Sequence, residues 1–120
     1  MNNTIQIKRV YEKYSKPDGF RILVDRLWPR GLTKDAAHVD LWMKEIAPSN
    51  ELRKWYHRDM SQWLLFRKKY FAEIKGSTAL AEFAGECAKH KIVTLLYGSK
   101  DEEHNHAQIL VEVLKRSGGE

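Results

Sequence analysis

One cysteine, Cys87, is all that the 120-residue chain carries. A lone thiol closes no internal disulfide, so the fold must rest on its core, and a reducing compartment suits it. Cys87 sits on an apolar stripe with no adjacent base and reads as packing. No apolar run approaches the ~20 residues that a membrane helix needs. Met1-Asn2-Asn3-Thr4 lacks the basic and apolar regions of a signal peptide. A cytoplasmic protein, away from membranes, is the expectation. Repeats, low-complexity tracts and linkers are missing. So are G-x-G-x-x-G, a Walker loop, Cys-x-x-Cys and a G-x-S-x-G elbow. Nucleotide cofactors, P-loop chemistry, thiol redox chemistry and the α/β-hydrolase triad lose their support, and no cofactor is expected.

What is present fits a soluble globular chain: 42% apolar and 31% charged residues. Residues 1–120 are expected to form one domain, long enough for a core without a structural metal. The net charge of +5 is uneven. Residues 1–69 hold fifteen Lys/Arg against eight Asp/Glu, and residues 70–120 hold six against eight. The basic part could attract phosphates, nucleic acid or acidic metabolites. No Lys/Arg block of nucleic-acid type appears, which favours a simply solvated surface.

Thr4–Lys8 alternates Ile5 and Ile7 with polar residues, as a half-buried strand does. Ser15-Lys16-Pro17-Asp18-Gly19 has turn chemistry. Phe20–Asp25 is a second strand. Residues 26–40 are expected to be mostly irregular, broken by Pro29 and Gly31. Leu41–Ile46 is ambiguous between helix and strand. Ser49 is the expected N-cap of a helix with Leu52, Trp55 and Tyr56 inward. Asp59-x-x-Gln62 resembles a capping box ahead of Trp63, Phe66, Tyr70 and Ile74. Ser77 or Thr78 starts a third helix, with Leu80, Phe83, Ala84 and Cys87 inward. Ile92–Tyr97 is a buried strand. Ser99 and Glu102 spell an S-x-x-E box for a last helix, released at Gly118-Gly119. The order β-β-α-α-α-β-α predicts a small single-layer α/β fold with a three-stranded, at least partly parallel sheet flanked by helices. About ten residues join the first two strands, short for a parallel crossover. Their relative direction stays open.

Ligands of α/β proteins bind where parallel strands deliver their carboxyl ends. Two such ends are polar here. The first is Asp25-Arg26-Leu27-Trp28-Pro29-Arg30-Gly31. Arginine recognises carboxylate or phosphate in a planar, bidentate way. Pro29 and Gly31 stiffen the turn that carries Arg30. The second is Gly98-Ser99-Lys100-Asp101-Glu102-Glu103-His104-Asn105-His106. A helix start there would offer amides to an anion, although the acids alone could serve as caps. Asp101 and His104 are three apart, so the carboxylate could orient an imidazole suited to proton transfer. Glu102 and His106, four apart, could grip a divalent ion, but no third ligand is visible and no metal is assigned. Arg53 and His57, four apart on the helix after Ser49, could edge the same pocket. Trp55 and Trp63 read as core.

These residues carry a resemblance. Lys8-Arg9-Val10-Tyr11, Val24-Asp25-Arg26-Leu27-Trp28-Pro29-Arg30-Gly31, Ala47-Pro48-Ser49, Leu52-Arg53-Lys54-Trp55 and Thr94-Leu95-Leu96-Tyr97, with Lys100-Asp101-Glu102-Glu103-His104-Asn105-His106-Ala107 behind them, resemble the short YeaO-like branch of the bacterial family called domain of unknown function 488. The resemblance spans nearly the whole chain. It implies no established activity, substrate or cofactor.

The leading expectation is a cation-lined pocket for an anionic small molecule, phosphorylated or carboxylate, with hydrolysis or transfer as the chemistry to test. Arg26 and Arg30 would clamp the anion beside Asp25. Lys100 and the amides after Ser99, in a cluster that includes Asn105, would add positive potential. Tyr97 and Trp28 would form walls, and His104, oriented by Asp101, would move a proton. One alternative is a nucleic-acid binder using Arg53, Lys54, Arg58, Lys68 and Lys69. Another is a non-catalytic interaction module whose polar cluster only caps a helix. The oligomeric state is open.

Overall fold

The computed structural model describes residues 3–117. Four strands form one sheet: β1 (Thr4–Arg9), β2 (Phe20–Leu23), β3 (Leu41–Trp42) and β4 (Ile92–Tyr97), in the order β1-β4-β2-β3. Every pairing is parallel. The sheet thus has one strand more than expected. The ambiguous stretch 41–46 divides: Leu41 and Trp42 pair with Ile22 and Leu23, and Lys44–Ile46 turns into a 3-10 helix. β1 and β2 are not neighbours, but both run parallel to β4 and therefore to each other. The short connection suffices because a six-residue strand is about 20 Å long while ten extended residues span about 33 Å.

Among the described residues five α-helices join the sheet: α1 (Lys34–Ala37), α2 (Asn50–Arg58), α3 (Trp63–Ile74), α4 (Thr78–Ala88) and α5 (His106–Ser117). Central β4 is buried on both faces from Val93 to Tyr97, as parallel strands usually are. Side chains alternate between the faces. Ile22, Val24, Val93, Leu95 and Tyr97 join the main core with Phe66, Tyr70, Phe83 and Leu110. Leu23 and Leu96 face the other way, to Val10, Ala37, Trp28 and Leu32. Residues 26–40 are therefore the cover of the second face. They contain a one-turn helix, α1, capped by Thr33 Oγ1, which accepts from Ala36 N.

Ser49 and Ser77 cap α2 and α4 as expected, accepting from Leu52 N and Leu80 N. The capping box at Asp59 does not form: Asp59 accepts from Ser61 N within a turn, and α3 starts after Gln62. The last helix starts seven residues after Ser99. Ser99 Oγ accepts from Asp101 N, and Asp101 Oδ1 accepts from Glu103 N and His104 N. Such short polar side chains offer the backbone turns in place of a helix. Asn105 is the cap, its Oδ1 accepting from Gln108 N at 3.1 Å. The Gly118-Gly119 release lies outside the described residues.

A buried ionic knot fixes the start of β2. Arg21, 1% exposed, donates to Asp18 at 2.5 Å and to the carbonyls of His38 and Ala37. Lys8 Nζ reaches Asp18 at 3.0 Å. Burial raises the Asp18 pKa, but the Ser15 amide, Lys8 and Arg21 outweigh it and hold the carboxyl below its ordinary value. Gly19 follows at φ +66°, and a Cβ there would stand 2.4 Å from the Ile92 carbonyl oxygen. Only glycine fits this close passage. Among the described residues, no helix is long and apolar enough to cross a membrane.

Candidate functional site

The pairing of β2 with β4 brings their carboxyl ends out side by side. Val24 N donates to Leu96 O at 3.1 Å, and one residue further Gly98 N donates to Asp25 Oδ2 at 2.8 Å. A Cβ on Gly98 would lie 3.0 Å from that carboxylate, so the approach is tight. The other carboxylate oxygen, Oδ1, lies 3.2 Å from Nε2 of His106, the first residue of α5. The same Nε2 is 2.9 Å from the Val24 carbonyl. Both neighbours are acceptors, so Nε2 carries the proton, and in the neutral ring Nδ1 is the acceptor. Tyr70 packs edge-on against this imidazole.

Around this dyad lies a cavity of about 450 Å³. Its lining brings together Asp25, Arg26, Trp28 and Arg30 from the β2 end, Arg53 and His57 from α2, and Ser99, Lys100, His104 and Asn105 from the β4 end. Two residues expected in the site are not in its lining. Tyr97 is 2% exposed and belongs to the main core, because the pleat turns it toward the helices. The Asp101 carboxylate is taken up by the backbone amides of Glu103 and His104, which lower its pKa, so it does not grip the imidazole. His104 instead stacks on Trp63, ring centroids 4.8 Å apart. Glu102 precedes α5 and shares no helix face with His106.

Individual roles also shift. Arg26 is a strut: Nε donates to Pro48 O and Nη2 to Ala47 O, at 3.2 and 3.0 Å. That anchors the loop before α2 to the cavity, and Tyr70 Oη, donating to Ile46 O at 2.5 Å, holds it from behind. Trp28 packs into the second core as well as lining the cavity, with its indole N–H on Leu32 O. Arg30, Lys100 and His57 are exposed at the cavity, and their side chains meet no partner among the described residues. Arg53 Nη2 donates to Asn50 Oδ1, while its Nε is buried without a partner among the described residues. Asp25, the acid of the lining, is already engaged by Gly98 and His106. The cavity is therefore electropositive.

The lining also contains Tyr11, Tyr56, Met60 and Phe66, which sequence reasoning did not place at the pocket, and His106, which it weighed only as a metal ligand. Tyr56 is 6% exposed and its hydroxyl has no partner among the described residues. Burial, then the Asp101 carboxylate, pushes its pKa up, so it stays a neutral donor. The helical stripe marks Tyr56 and Phe66 only as inward-facing, and the 81-residue separation of Asp25 from His106 leaves no local spacing to read.

Comparison with known proteins gives one family. Residues 4–118 match the family described as the "Inactive DUF488-N3 subclade". The chain is 44% identical over 111 residues to uncharacterized protein YeaO of Escherichia coli, covering 92% of this chain and 96% of that protein. It is 38% identical over 110 residues to uncharacterized protein Rv3073c of Mycobacterium tuberculosis, covering 92% of each. No solved structure matches. The chain belongs to the DUF488 family, in its YeaO-like branch.

Proposed function

We propose that this protein binds an anionic small molecule, phosphorylated or carboxylate, in the cavity at the ends of β2 and β4. The observation that carries the reading is the pair Arg30 and Lys100: two cations on a concave surface that no acid among the described residues neutralises. An anion placed there gains charge-assisted hydrogen bonds in a partly desolvated setting. The volume lies in the usual range of small-molecule sites. The word "inactive" in the family's description favours binding without turnover. If chemistry does occur, His106 held by Asp25 is a better proton-transfer group than His104, whose ring is not oriented by Asp101. A cytoplasmic location, away from membranes, belongs to the same reading.

A thermal-shift panel at low salt tests it. Phosphorylated metabolites, dicarboxylates, nucleotides and short oligonucleotides are compared on the wild type and on Arg30→Ala. A ligand at about a hundred times its dissociation constant adds about 2.7 kcal/mol, which raises the midpoint by roughly 10 °C in a chain of this size. A small-molecule shift lost in Arg30→Ala supports the reading. A silent small-molecule panel contradicts it. A salt-sensitive oligonucleotide shift would favour nucleic-acid binding by the exposed Lys54, Arg58, Lys68 and Lys69 instead, and complete silence would favour the interaction module.

A further inference from the structure

The cavity is divided by chemistry, and the division narrows the ligand, granted the anion-binding reading above. The mouth holds the exposed side chains of Arg30, Lys100 and His57. The depth holds Tyr56 and Phe66, 6% and 4% exposed, with ring centroids 4.5 Å apart. A site for a bare anion is small and walled by donors. Here the cations stand at the rim and the interior is aromatic, so the ligand's body must be apolar and enter first. Three cationic or protonatable groups at one mouth exceed what a single carboxylate uses, and they match a phosphate dianion.

A second observation argues against a plain hydrocarbon body. The Tyr56 hydroxyl and Arg53 Nε are buried donors with no partner among the described residues. An alkyl chain would leave both unsatisfied. A heteroaromatic ring supplies acceptors for Tyr56 and Arg53 and a flat face for the tyrosine and phenylalanine rings. We propose that the cavity takes a heteroaromatic phosphate of nucleoside-monophosphate size, ring inward and phosphate at Arg30 and Lys100.

Isothermal titration calorimetry of the full chain at low salt tests this. The probes are the four nucleoside 5′-monophosphates and pyridoxine 5′-phosphate, set against hexyl phosphate, ribose 5-phosphate and inorganic phosphate. At least one ring-bearing phosphate should bind about tenfold or more tightly than every ring-free one. Tyr56→Phe should remove most of that preference, whereas Arg30→Ala should weaken all phosphates alike. Hexyl phosphate binding as tightly as the best ring-bearing probe would overturn the proposal, as would a preference untouched by Tyr56→Phe. In those cases the anion site itself would survive through its Arg30 dependence. Failure of every phosphate to bind would overturn this proposal and leave the anion site only a carboxylate ligand.

Discussion

Asp25 joins the end of β2 to two segments far along the chain, and its removal should show in stability before any ligand is known. Its carboxylate accepts from Gly98 N at 2.8 Å and lies 3.2 Å from His106 Nε2, tying the end of β2 to the end of β4 and the start of α5. A hydrogen bond to a charged group contributes about 1.5–3 kcal/mol. The first contact should approach the middle of that range. The second is longer and shares its proton with Val24 O, and Asp25 is 23% exposed, so it contributes less. Asp25→Ala should therefore cost about 2–3 kcal/mol. Unfolding entropy of roughly 2.1 cal/mol/K per residue makes that a drop of about 8–12 °C in midpoint. Asp25→Asn should cost less, about 1 kcal/mol, because its carbonyl can still serve Gly98 while its amide N–H opposes the imidazole N–H. Urea denaturation of both variants measures the costs. An Ala variant within about 0.5 kcal/mol of the wild type, the range of an ordinary surface change, would refute the linking role.

Further outcomes are equally concrete. Gly19→Ala should destabilise by about 2 kcal/mol or more, since it meets both a left-handed φ and the Ile92 carbonyl; urea midpoints check this. Asp18 has a carboxyl pKa depressed in the folded state, so the unfolded chain takes up its proton more readily and stability rises with pH. Its contribution is present above the unfolded value of 3.8 and lost as pH falls through the folded one. Stability measured from pH 6 down to pH 2 should fall less steeply in Asp18→Asn than in the wild type. Cys87 is buried and its thiol is pushed up to about 12, chiefly by burial. At pH 8 it should react with a thiol reagent only as fast as the fold opens, and prompt labelling would contradict its packing role.

The features legible from residue order are those set by local chemistry. Three of the four strands follow from alternation or an apolar run, and Ser49 and Ser77 mark their helices because a hydroxyl before an amphipathic stretch is a local device. The polar turns at 25–31 and 98–106 could be placed at one pocket because strand ends are where an α/β fold exposes polar groups. Tertiary context decided the rest. β3 is two residues long and exists because β2 offers an edge to pair with. The start of α5 moved from Ser99 to Asn105 because Ser99 and Asp101 hydrogen-bond to nearby amides first. Arg26 was legible as a pocket arginine but not as a strut, since its partners are carbonyls about twenty residues away. The Asp25–His106 pair and the unpartnered Tyr56 hydroxyl depend on which helix faces meet, which no spacing rule encodes.

The most direct measurement is a backbone-amide NMR titration of the full chain with inorganic phosphate at low salt. The expected result is a saturable set of shifts confined to residues 26–31 and 98–106, lost in Arg30→Ala. Shifts spread over the exposed basic side chains of α2 and α3, or a spectrum that phosphate leaves unchanged, would contradict an anion site at the strand ends.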